Sequence, residues 1–168
     1  SYAIPDTDLE NGVSALCIVA KAYLRTGNPA ECLGAAERAL NLDENERRNH
    51  LHYSLMAWAF IDLQRFADGL QAAGIAISRN NQHAASWVSK SVAETALGHP
   101  KDGLNSAQKA LELEPDNSRA HNNAGLAFAA LGKEDDARAA FNRAHELDRA
   151  DILPRLNLGQ SYLRTQEP

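Results

Sequence analysis

The sequence repeats itself every 34 residues, and that period excludes most other folds. The clearest copy is residues 118–151, SRAHNNAGLAFAALGKEDDARAAFNRAHELDRAD. In its first half His121, Ala124, Gly125, Phe128 and Leu131 recur at helical spacing, which places them on one face of an α-helix. In its second half Ala137, Ala140, Phe141 and Ala144 mark a second inward face. Gly132 lies between them and ends the first helix, since glycine takes the left-handed conformation that a helix C-terminus favours. Glu134, Asp135 and Asp136 then put acid in the first turn of the second helix, where the helix dipole stabilises it. The small residues Gly125, Ala137 and Ala144 allow the two backbones to approach closely. The unit is therefore a helical hairpin.

One period from Gly125 lie Ser91 and Gly159, and one period before Gly132 lies Gly98. Ala144 is preceded at the same spacing by Ala110 and Ala76. A step of 37 residues then reaches Ala39, so three residues are inserted once, most simply Arg47 to Asn49.

These residues resemble the tetratricopeptide repeat, a unit of two antiparallel helices with small residues at positions 8, 20 and 27, an aromatic at 11, Leu-Gly at 14 and 15, and proline near 32. The best matches are Leu131-Gly132 with Ala137 and Ala144, and Leu97-Gly98 with Ala110 and Pro115. The resemblance implies an all-α chain, a right-handed α-solenoid of antiparallel helix pairs with about four and a half units. These are 13–46, 50–83, 84–117 and 118–151, then a half repeat 152–168, after a turn-rich linker over 1–12.

Inward faces follow in the other copies. They comprise Leu16, Val19, Ala20 and Tyr23, then Tyr53, Met56, Ala57, Phe60 and Leu63, then Trp87 at the bulky position of the third. Asn28, Pro29 and Glu31 read as N-cap, first-turn proline and capping-box acid of a second helix. Three departures stand out. Gln64 replaces the expected turn glycine. Asn80-Asn81-Gln82 replaces the acidic-proline stop. Lys90 and Glu94 occupy apolar and aromatic positions, and the sequence predicts a partly exposed pair worth about 0.3–0.5 kcal/mol. The last residues, Tyr162 to Pro168, copy Tyr23 to Pro29, so the chain stops inside a fifth unit. Its first helix, with Leu156, Leu158, Tyr162 and Leu163, either caps the stack, docks onto another chain, or belongs to a longer protein.

Chemistry is sparse. The six histidines (His50, His52, His83, His99, His121 and His145) form no metal-ligand spacing with each other or with Cys17 and Cys32. No phosphate-binding glycine loop or nucleophile elbow is present, so neither a cofactor, a metal nor catalysis is expected. Cys32 sits inward at a small-residue position and Cys17 on the opposite face of its helix. Two cysteines without a framework fit a reducing, cytoplasmic setting. Net charge of −5 argues against a nucleic-acid partner. No apolar run reaches the length of a membrane span, and no signal peptide is visible at Ser1.

The face of each first helix opposite the inward one remains. In tetratricopeptide proteins it lines a concave groove that holds a peptide or a helix. Here it carries Cys17, Lys21 and Arg25, then Ser54, Trp58, Ile61 and Asp62, then Val88, Ser89 and Val92. Arg119, Asn122, Asn123 and Leu126 follow, and finally Leu156, Asn157 and Gln160. An apolar floor with a basic start and amides at the end points to a binding surface. The family's carboxylate clamp of lysine, asparagine and arginine over three repeats is not reproduced. Its asparagine ladder has only Asn123 and Asn157, with Ser89 a poor third rung. An amphipathic helix or short apolar segment suits the floor better. The expectation is a protein-interaction module anchored at Trp58. Alternatives are the targeting domain of a larger enzyme such as a glycosyltransferase, or a self-assembling scaffold in which a chain end of one copy docks on the next.

Overall fold

A computed structural model describes residues 6–42 and 49–166, and every regular element among them is helical. The inserted residues 47 and 48 and Pro168 lie outside the described residues. The chain divides into two compact units, residues 1–81 and 82–168.

The first unit holds α1 (Asp6–Arg25), α2 (Pro29–Leu42), α3 (Asn49–Asp62) and α4 (Phe66–Arg79). Helix α1 begins inside the stretch that sequence assigns to a linker. The sequence places the start of the first helix near Leu9, and α1 starts three residues earlier. Consecutive helices pack against each other, and α1 also reaches α3. Alanine makes this packing close. Ala20, Cys32, Ala35, Ala36, Leu55 and Ala59 form one buried cluster, edged by Tyr23, Leu24, Leu33 and Met56. Ala57, Ala72 and Ala73 form the next, edged by Met56 and Phe60. At Gly69 an added Cβ would stand 3.2 Å from Ile61 and 3.3 Å from the Ala57 carbonyl oxygen, tighter than most side-chain contacts, so α4 approaches α3 closely there. Val19 and Leu63, expected inward, are exposed. Val19 lies on α1, and Leu63 lies just past the end of α3, in the turn that leads to α4.

The second unit holds α5 (Ala84–Ala96), α6 (Pro100–Leu113), α7 (Ser118–Ala130), α8 (Glu134–Leu147) and α9 (Leu153–Gln166). Phe141 is its largest fully buried side chain, and Gly125 of α7 makes room for it: a Cβ at Gly125 would lie 2.5 Å from the ring. Asn117 caps α7, its side-chain oxygen accepting from the Ala120 amide at 3.0 Å. Helix α9 is seated largely by polar contacts. The Ser161 hydroxyl donates to Glu134, Arg164 pairs with the same carboxylate at 3.0 Å, and Arg138 stacks on the Tyr162 ring at 5.1 Å.

The hairpin turns share one closing bond. The amide that opens each second helix donates back to the last aromatic or acidic position of the first: Asn28 to Tyr23 O, Arg65 to Phe60 O, His99 to Glu94 O and Lys133 to Phe128 O, at 2.8–2.9 Å. This is the Schellman closure, and it requires a left-handed residue just before the donor. Gly27, Gly98 and Gly132 supply it at φ 73°, 84° and 74°, and Gln64 is forced into it at φ 58°. The Asn28 side chain does not cap α2. Its amide turns back to Thr26 Oγ1 at 2.9 Å, because the turn points it away from the helix entrance.

Lys90 and Glu94 correct the expectation of a solvated pair. Glu94 is only 7% exposed. Lys90 Nζ donates both to Glu94 Oε1 and to Ser106 Oγ (3.2 Å), and the Ser106 hydroxyl donates to Glu94 Oε2 at 2.6 Å. Spacing along α5 pairs the two charges, but only packing of α6 against α5 brings Ser106 over them and removes water. A half-buried ion pair is costly to break from one side.

Two stability outcomes follow. Gln64→Gly should stabilise the chain by about 0.5–1 kcal/mol, read as a higher Tm, because it relieves the left-handed strain at slight cost in unfolded-state entropy. Lys90→Met should destabilise by about 2 kcal/mol in urea titration by stranding the Glu94 carboxylate. Lys90→Leu with Glu94→Tyr together should stay within about 1 kcal/mol of wild type or exceed it.

Candidate functional site

The surface expected to bind lies on the first helices, and the two units present it separately. In the first unit Lys21 and Arg25 are exposed one turn apart on α1, with Cys17 half-buried a turn earlier. On α3, Trp58 is half-buried and Asp62 exposed, whereas Ser54 and Ile61 are buried. Ile61 lies against the bare backbone of Gly69 and so belongs to the α3–α4 joint.

Cys32, on α2, is fully buried with its Sγ 3.9 Å from the Leu55 carbonyl oxygen. Burial pushes its thiol up to about 11, and the negative charge of Asp62 adds to the rise. A thiol held neutral is a poor nucleophile, so Cys32 serves packing.

In the second unit α5 contacts α7, and α7 contacts α9, so their faces adjoin. Val88 and Ser89 are buried, Ser89 spending its hydroxyl on the Ser86 carbonyl oxygen at 3.0 Å. Val92 is half-buried and Arg119 exposed. Asn122 and Asn123 are largely buried, while Leu126 is 37% and Leu156 55% exposed. Asn157 Nδ2 donates to Asn122 Oδ1 at 2.9 Å, joining α9 to α7. Gln160 is exposed beyond it.

The geometry thus unites Asn122 with Asn157 and brings Leu126 and Leu156 to the surface of adjoining helices. Ser54, Ile61, Val88 and Ser89 turn inside. Helical angle alone put all of them on one face, but how deep each sits depends on where the neighbouring helix crosses. The bond between Asn122 and Asn157 had no signal beyond their 35-residue separation, one more than the period. Among the described residues no three His, Cys, Asp or Glu side chains could hold a metal, and no helix is long and apolar enough to cross a membrane.

Hairpins of antiparallel helices, each closed by a left-handed turn, define an α-helical repeat architecture. Residues 90–152 match the tetratricopeptide repeat by sequence. The chain is similar to a thermophilic tetratricopeptide-repeat protein of Thermus thermophilus, with 21% identity over 92% of this chain and 83% of that one at TM-score 0.81. It is also similar to MamA from Desulfovibrio magneticus, at 18% identity over 97% of this chain and 88% of that one, TM-score 0.69. A third similar structure is the first tetratricopeptide-repeat domain of Spaghetti (RPAP3) bound to the HSP90 peptide SRMEEVD, with 13% identity over 72% of this chain and 96% of that one, TM-score 0.65. No curated protein sequence matches the chain. Residues 90–152 thus carry the tetratricopeptide repeat by sequence, and the chain as a whole shares the fold of these repeat structures.

The Cys32 environment yields a check on the first unit. Its folded value lies above the ordinary 9.0. The stabilisation it contributes is therefore complete below pH 9 and lost as pH rises through about 11. In the native chain Cys32 should resist a thiol reagent at neutral pH and react at the free-thiol rate in denaturant, followed by mass spectrometry of the Cys32 peptide.

Proposed function

We propose that the chain binds a segment of another protein on the exposed face of its first helices and performs no catalysis of its own. The observation that carries this reading is the pair Leu126 and Leu156, exposed on adjoining helices beside the bonded amides Asn122 and Asn157. That bond uses an Asn157 donor and the Asn122 acceptor. Asn157 Oδ1 and Asn122 Nδ2 remain an acceptor and a donor at the edge of an apolar strip, a set that matches a peptide group. An amphipathic helix or short apolar segment fits such a strip.

In the first unit Trp58 on α3 offers a half-buried aromatic anchor, and α1, which contacts α3, carries exposed Lys21 and Arg25. The acidic peptide SRMEEVD is bound by the Spaghetti domain. No lysine, asparagine and arginine set is spread over three repeats here, so a partner with apolar anchors is the better fit. The same surface would serve whether the chain acts alone or targets a larger enzyme.

The test is capture of proteins from source-cell lysate by wild type, by Leu126→Arg and by Trp58→Ala, each shown folded by circular dichroism. Leu126 is exposed, so arginine there leaves the hairpin intact. Partners held by wild type and lost, at least about tenfold in recovery, from Leu126→Arg support the second unit as the site. Loss only in Trp58→Ala moves the site to the first unit. Identical recovery by all three overturns the reading.

A further inference from the structure

We draw no further inference here: the strongest candidate, the exposed apolar patch of Leu126 on α7 and Leu156 on α9, belongs to the site already described, and nothing in the structure shows what covers it.

Discussion

Each hairpin depends on how closely its two helices can approach. A residue with no side chain, or only a methyl group, lets a neighbouring backbone or ring come into direct contact. Gly69 admits Ile61 and the Ala57 carbonyl, Gly125 admits Phe141, and Ala35, Ala36, Ala72 and Ala73 perform the same task along α2 and α4. Dispersion contacts fall off within an ångström of the optimum, so a core built from such small groups is stable only at close range. The left-handed turns serve the same end. By returning the chain within three residues, they hold the second helix against the small face of the first.

The polar layer of the third hairpin shows what the packing rule tolerates. Glu94 replaces an aromatic residue, and its carboxylate is accommodated because Lys90 reaches it along the helix and Ser106 reaches it across the hairpin. Nearby, Ser91 donates to the Gly103 carbonyl oxygen at 2.7 Å. Buried polar groups persist where every strong donor and acceptor finds a partner, and they favour a single register of helix against helix. At α9 the second unit uses the same means, with Glu134 binding Ser161 and Arg164. Polar bonds thus join α9 to α8 where apolar contacts are few.

The helices and their turns were legible in the residues. Spacing gave the faces, glycine gave the turns, and Gln64 was recognisable as the odd residue at a position that demands a left-handed backbone. The start of α1 was legible to within three residues, near Leu9 against Asp6. The depth of the surface residues was not legible. Val88 and Ser89 share a helical face with Val92, yet they are buried and it is half-exposed. Neighbours on a helix wheel differ by where the next helix crosses, and crossing is a property of several segments together. The same holds for Cys32, whose raised thiol reflects burial by Leu55 and the charge of Asp62 on another helix.

By itself, then, the sequence determined the repeat and the hairpin, because these follow from periodicities of three to four residues and from the torsional preferences of single residues. Only the tertiary structure decided that Glu94 is enclosed by Ser106, that Asn157 bonds to Asn122, and that Gly125 makes room for Phe141. Those outcomes depend on distances between helices. Such distances arise when side chains of many segments compete for the same volume, and no local pattern carries that information.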